Sequence, residues 1–191
     1  MLTDKLKLNN DKTDFKLIGR KQQLSKLNID SLALWSIDFA SVTVARNLGT
    51  CFDTNLNLQE QIQKTCKSGF FRLYNIQGIR KYLSQESART LVYALFMGHI
   101  DYYNSLLFGL PSVHLLKLQR LQNAATRIIS NVPRYSHIVT PLLCSLHWLP
   151  VKFRIDFKIL LLIFKSIYGH APGYLTELIA IKEQPRYYPF S

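Results

Sequence analysis

Residues 113–130 have the sequence VHLLKLQRLQNAATRIIS, and this stretch decides the fold class. Its apolar side chains recur at intervals of three and four positions, the spacing that places them on one side of an α-helix. Arg120 and Arg127 fall on the opposite side, with Lys117 at its flank. The sequence therefore predicts an amphipathic helix with a basic outer face. Its core-facing side chains are expected to be Leu115, Leu118, Leu121, Ala125 and Ile128.

Helical signals continue on both sides of this stretch. Before it, a long amphipathic segment is predicted over about 58–82, with Gly69 or Gly78 as a point of interruption. Ser84 is a good N-cap for a second helix that runs to about residue 107. The later elements are a short helix begun by Thr140-Pro141, a long helix opened by Pro150 and ending near Gly169, and a last turn or two around 174–179.

The helix predicted over 151–168 is apolar nearly all round, so it is expected to be mostly buried. Arg154, Lys158 and Lys165 fall together in one narrow stripe, which is then its predicted window on solvent or on a partner. The broad apolar side consists of Phe153, Phe157, Leu160, Ile163, Phe164 and Ile167.

The first 53 residues differ in character from the rest of the chain. Short β-prone stretches occur at 15–18 and 42–52, and a polar connection covers 20–30. The predicted fold class is therefore mainly α, with a small strand-bearing segment followed by an α-helical bundle. The expected domains are residues 1–53 with the strands, 54–181 with the helices, and a loose tail over 182–191.

The charge of the chain is lopsided and localised. Its 24 Lys+Arg against 12 Asp+Glu give a net charge of +12, which indicates a polyanionic partner such as nucleic acid or an acidic membrane surface. Most of this excess falls within 54–176, and the first 53 residues are nearly balanced. The sequence shows no signal peptide, its longest apolar run is too short to span a bilayer, and its three cysteines suggest no disulfide framework. An intracellular protein, in either the nucleus or the cytoplasm, without a membrane partner is expected.

Catalytic motifs are not found. No Asp-Asp or Asp-x-Asp pair could hold two cations, and no nucleophile elbow or phosphate-binding loop occurs. Cys144 and His147 form only half of a zinc-ligand set, so a packed thiol beside a partly buried imidazole is the favoured interpretation. The chain is therefore predicted not to be an enzyme by itself. For the basic helix faces two interpretations stay open, phosphate contacts or a solvated face.

Several strings together resemble the reverse transcriptases of non-long-terminal-repeat (LINE-type, jockey-like) retrotransposons. Residues 6–19, LKLNNDKTDFKLIG, are similar to the block that closes the palm, and 45–53, ARNLGTCFD, to the primer-grip block that follows it. The later strings are similar to the thumb and post-palm region; they are IRKYL at 79–83, DYYNSLLFGLP at 101–111, LQRLQNAA at 118–125, LHWLPV at 146–151 and APGYL at 171–175.

The resemblance implies roles for some residues. Lys12 matches a lysine of the palm-closing block near the incoming nucleotide, and Leu48 and Gly49 match the grip on the primer end. A thumb holds template and primer by their backbones, which suits nucleic-acid-binding residues Arg120, Arg127, Arg154, Lys158 and Lys165. The expected partners are an RNA–DNA or DNA duplex backbone and the palm and fingers missing from this sequence.

The adjacent aspartates of the family's palm motif are absent from this chain. The resemblance therefore implies a truncated copy without catalytic residues, and Mg²⁺ is expected only for the complete parent enzyme. Two alternatives remain. One is a stand-alone helical interaction module that binds nucleic acid or docks a protein, and the other is a non-functional relic whose apolar stretch 31–45 leaves an exposed sheet edge.

Overall fold

In the part that the structure describes, two β-hairpins are followed by a bundle of α-helices. The computed structural model describes residues 9, 12–27, 29–34, 37–133, 135–136 and 138–179. Within them the fold is mainly α-helical, with its small sheets on the N-terminal side, so the predicted fold class is confirmed. The predicted tail 182–191 and the first residues of the palm-like string lie outside the described residues.

Each hairpin is a separate two-stranded antiparallel sheet. Strand β1 (Ser31–Leu34) pairs with β2 (Ile37–Ala40), and β3 (Val44–Asn47) pairs with β4 (Thr50–Asp53). The second hairpin confirms strands within 42–52. The strand expected at 15–18 is wrong, because Phe15 forms only an isolated bridge to Ser41. A short helix, α1 (Lys21–Leu24), lies in the segment predicted to be a polar connection.

The long helix α2 (Gln59–Ile79) is continuous through both of its glycines. It packs against α5 (Ser112–Ser130), and a Cβ atom at Gly69 would lie only 2.7 Å from Cδ2 of Leu121. Gly69 therefore allows the two helices to approach closely, whereas Gly78 has open space around it. As predicted, Leu118, Leu121 and Ala125 of α5 are buried.

The segment that follows Ser84 ends earlier than predicted. The Ser84 side chain accepts a hydrogen bond from the N–H of Ser87, which confirms it as the N-cap of α3 (Gln85–Val92). The helix continues through a π-helical turn (Tyr93–Met97) and α4 (Gly98–Asp101). It stops at Asp101 because Tyr103 takes a left-handed conformation with φ of 59°, and a 3-10 turn (Asn104–Leu107) follows.

Three further helices are α6 (Val139–Ser145), α7 (Val151–Ile167) and α8 (Gly173–Thr176). Helix α6 begins before Thr140, so that residue is not its N-cap. Trp148 is buried in the corner between α6 and α7, as the sequence predicted. The expectation that α7 is mostly buried is wrong, since only Val151, Ile155 and Ser166 are buried along it.

The hydrophobic core has two parts that meet along α2 and α5. The larger part joins these helices to the α3–α4 segment and to Trp148. The smaller part brings the start of α7 against the first halves of α2 and α5, through Val151 and Ile155. Among the described helices none is long and apolar enough to cross a bilayer.

Candidate nucleic-acid interface

An open groove between α2 and α5 has a volume of about 1200 Å³. The segment after α5 closes one end of it. The side chains that give the groove its character are three aromatic residues from α2, two arginines from α5 and one tyrosine from the segment that follows; they are Phe70, Phe71, Tyr74, Arg120, Arg127 and Tyr135.

The aromatic side chains of the groove are accessible to a ligand. Phe71 is 66% exposed, Tyr74 is 77% exposed and Tyr135 is 86% exposed. The α2 aromatics are accessible because the packed side of α2 is formed by Gly69, Leu73 and Ile76, which leaves the neighbouring positions facing outward. Large aromatic faces of this kind can stack on bases or sugars.

Two guanidinium groups stand beside these aromatic side chains. Arg120 is exposed and makes no ion pair with any described residue. Arg127 is half-buried, and its Nη2 donates a hydrogen bond to the carbonyl oxygen of Ser136 at 3.2 Å. Its Nε is buried without a hydrogen-bond partner among the described residues. The two arginines are seven positions apart, so their Cα atoms lie about 10 Å apart along the helix axis, the rise of about three nucleotide steps in a duplex strand.

The described lining of the groove has a net positive charge. Its described lining residues include no Asp or Glu to neutralise Arg120 and Arg127. The sequence predicted these arginines as phosphate-contacting residues, and the structure places both in one groove. The sequence did not single out Phe70, Phe71 or Tyr74. Their positions relative to the apolar period of the 58–82 segment nevertheless indicate that they lie away from the core.

The basic stripe predicted on α7 is not a free surface along its whole length. The Arg154 guanidinium makes a bidentate pair with the carboxylate of Asp101, in which Nε donates to Oδ1 at 2.9 Å and Nη2 donates to Oδ2. Lys158 and Lys165 are exposed. All three lie at the flank of the buried side of α7, and the side farthest from the core is apolar.

Leu48 and Gly49, expected to resemble a primer grip, form the two-residue turn between β3 and β4. Their φ angles are 47° and 85°, which such a tight hairpin turn requires. The Leu48 carbonyl oxygen accepts hydrogen bonds from the hydroxyls of Tyr102 at 2.8 Å and Tyr103 at 2.9 Å. The turn is thereby tied to the end of α4, while the Leu48 side chain is 75% exposed.

Lys12, the predicted palm-closing lysine, is exposed, and the structure gives its ammonium no described contact with the groove. Lys16, four residues later, contacts the segment that connects the two hairpins. Its ammonium donates to the carbonyl oxygens of Val42, at 3.3 Å, and Thr43. Burial lowers the pKa of Lys16, and the nearby Asp53 partly opposes that shift.

No group of three or more His, Cys, Asp or Glu side chains that could hold a metal ion occurs in the described part of the chain. Cys144 and His147 are both exposed, so the expectation of a packed thiol beside a partly buried imidazole is wrong.

Comparison of the chain with family models, curated proteins and solved structures finds no match.

Proposed function

We propose that the chain is part of a non-long-terminal-repeat retrotransposon reverse transcriptase, in which the helical domain binds nucleic acid and performs no polymerisation by itself. The observation that carries this proposal is the α2–α5 groove, where Arg120 and Arg127 stand beside exposed aromatic side chains without a described carboxylate in the lining. The quoted strings support the assignment to this family. The surplus of basic residues over 54–176 supports a polyanionic ligand.

The division of work within the groove follows from the chemistry of its side chains. Arginine donates several N–H groups in a fixed planar arrangement and makes strong hydrogen bonds to phosphate oxygens. Arg120 and Arg127 therefore position the backbone without selecting a sequence. Phe71 and Tyr74 provide apolar contact with sugars or unpaired bases, and each stacked base contributes about 1–3 kcal/mol.

The lysines of α7 have a smaller share in this proposal. Lys158 and Lys165 add to the positive potential as exposed point charges. Arg154 is expected to contribute little to binding, because its guanidinium is already paired with Asp101. We therefore assign phosphate contacts chiefly to Arg120 and Arg127.

The binding experiment uses the full chain and a fluorescently labelled duplex, either DNA or an RNA–DNA hybrid, at low salt. The double variant Arg120→Gln/Arg127→Gln removes two charges from the groove. The control Lys81→Gln/Arg89→Gln removes two exposed charges that do not line it. We expect a loss of affinity of at least tenfold for the groove variant and less than threefold for the control. Equal effects of the two variants, or no binding by the unaltered chain, would contradict the proposal.

A second experiment tests the absence of polymerase activity. Family members polymerise with metal ions held by palm aspartates, and the adjacent aspartate pair is missing from this sequence. The purified chain is expected to give no primer extension on an RNA template with Mg²⁺ and nucleotides. Detectable extension that persists after repurification would overturn this part of the proposal.

A further inference from the structure

The side of α7 that faces away from the core carries a row of large apolar side chains. Five of them define what we call the outer face of α7. They are between 48% and 64% exposed, and they are Phe153, Phe157, Leu160, Phe164 and Ile167. Ile163, 37% exposed, adds to one edge. Since Val151 and Ile155 fill the core side, α7 is apolar on two opposite sides, and the described residues cover the core side but leave the other one exposed.

The spacing of the outer face is that of a helix-pairing seam. Successive members are separated by four, three, four and three residues from Phe153 to Ile167. This alternation is the a/d spacing with which one helix packs along another. A helix surface that only faces solvent has no requirement for this spacing, and apolar residues exposed at isolated positions do not form such a row.

We propose that the outer face of α7 pairs with the outer face of α7 in a second copy of this chain, as an antiparallel helix pair. In this register Phe157 meets Leu160 of the second copy, and Phe153 meets Phe164 of the second copy, each contact occurring twice about the dimer axis. In the antiparallel orientation the positive end of each helix dipole lies beside the negative end of the other, which is favourable. The proposal is independent of nucleic-acid binding by the groove.

The edges of the seam favour a second copy over a strongly charged partner. The flanking positions hold Arg154, Asp156, Leu161 and Ile163. Arg154 is already paired with Asp101, so among these flanking positions Asp156 alone has a charge without a described ion-pair partner, and one carboxylate is too little to recruit a strongly basic helix. The partner must therefore present an apolar seam of the same spacing, and the chain itself supplies one.

The area available is sufficient for a weak dimer. Large apolar side chains that are half exposed contribute about 100 Å² each, so the pair would bury about 1200 Å² in total. That value lies at the lower end of specific protein interfaces. We therefore expect association in the micromolar range rather than an obligate dimer.

Analytical ultracentrifugation of the full chain without nucleic acid, from about 1 to 100 µM, tests the pairing. We expect a monomer–dimer equilibrium that becomes tighter between 0.15 and 0.5 M salt, because salt screens the repulsion between two chains of charge +12. Leu160→Glu should weaken it at least tenfold. Leu116→Glu changes a leucine of α5 that is 52% exposed and is the matched control. Thermal melting of each variant checks that the fold is retained.

The register itself is tested by mixing variants. Phe157→Lys and Leu160→Glu should each be monomeric, and their mixture should form a heterodimer because the lysine and the glutamate then face each other. A mixture of Phe153→Glu with Leu160→Glu should not associate. A chain that stays monomeric at 100 µM would overturn the proposal and assign the outer face to another occupant, such as the segment 180–191. Dimerisation that Leu160→Glu leaves unchanged would overturn it too.

Discussion

Replacing Arg80 by methionine should cost about 3 kcal/mol of unfolding free energy, because its guanidinium closes the end of α5. Arg80 is buried, and its Nε donates to the Ile128 carbonyl oxygen at 2.7 Å. Its Nη2 donates to the Ile129 carbonyl oxygen at 2.9 Å, and its Nη1 to that of Leu83 at 2.7 Å. Ile128 and Ile129 belong to the last turn of α5, where carbonyl groups lack the N–H partner four residues on and attract a positive charge. The Ile128 oxygen also accepts a long hydrogen bond, at 3.3 Å, from the N–H of Asn131.

The expected loss of unfolding free energy is the difference between the hydrogen bonds that are lost and the desolvation cost of the guanidinium that is avoided. A hydrogen bond to a charged group contributes about 1.5–3 kcal/mol, so three of them exceed 4 kcal/mol. Desolvation of the buried guanidinium offsets part of this gain, which leaves about 3 kcal/mol. Methionine keeps an apolar stem of similar length, so little packing is lost. For a chain of this size the melting temperature should fall by about 6–12 °C.

Urea unfolding followed by circular dichroism measures the change, and Lys81→Met is the control. Lys81 is adjacent and exposed, and its ammonium lies 4.8 Å from the centroid of the Tyr82 ring. An exposed contact of this kind contributes about 0.5–1 kcal/mol. The loss of unfolding free energy for Arg80→Lys should lie between those for Arg80→Met and Lys81→Met. A loss of less than about 1 kcal/mol of unfolding free energy for Arg80→Met, or a loss no larger than that for Lys81→Met, would contradict this role of the Arg80 guanidinium.

Three further predictions concern single positions. Gly69→Ala should destabilise the chain by about 1–3 kcal/mol, because its Cβ would overlap α5. Gly78→Ala, in open space, should stabilise it by about 0.5–1 kcal/mol, and urea unfolding of the two variants measures both changes. Burial and the neighbouring arginine on α2 lower the pKa of His99 in the folded chain. The folded chain therefore keeps its full stability above the unfolded-state pKa of about 6.5 and loses stability as the pH falls through the lower folded-state pKa. The unfolding free energy should decrease from pH 7 to 5, and His99→Gln should flatten this slope. Burial raises the pKa of the Cys66 thiol, whereas Cys144 is exposed, so Cys144 should react first when the thiols are titrated at pH 7.5. A Cys144→Ser variant should lose the fast phase of this reaction, and a fast phase that survives would contradict the prediction.

The sequence predicts the middle of the fold well because local spacing decides it. The apolar period of 113–130 identifies the buried side of α5, and Ser84 begins α3 as its chemistry requires. The end of α4 at Asp101 escapes prediction, since the left-handed conformation of Tyr103 depends on its hydroxyl reaching the Leu48 carbonyl oxygen across the fold.

The candidate site is only partly contained in the sequence. Spacing shows that Arg120 and Arg127 share a face, but the aromatic wall opposite them belongs to α2 and is brought there by tertiary packing. For α7 the spacing shows two apolar sides without telling which one the chain covers. The Arg154–Asp101 pair joins residues 53 positions apart, so the stripe of three basic side chains could not be recognised in advance as partly occupied.

The most direct test of the proposed function is the salt dependence of duplex affinity, measured for the full chain and for Arg120→Gln/Arg127→Gln. On a DNA duplex the logarithm of the association constant falls by about 0.9 per contacted phosphate for each unit of log salt. We predict a steep slope for the unaltered chain, a slope shallower by about 2 for the groove variant, and a much smaller change for Lys81→Gln/Arg89→Gln. A slope near zero for the unaltered chain, or the same slope for all three proteins, would contradict phosphate binding by the α2–α5 groove.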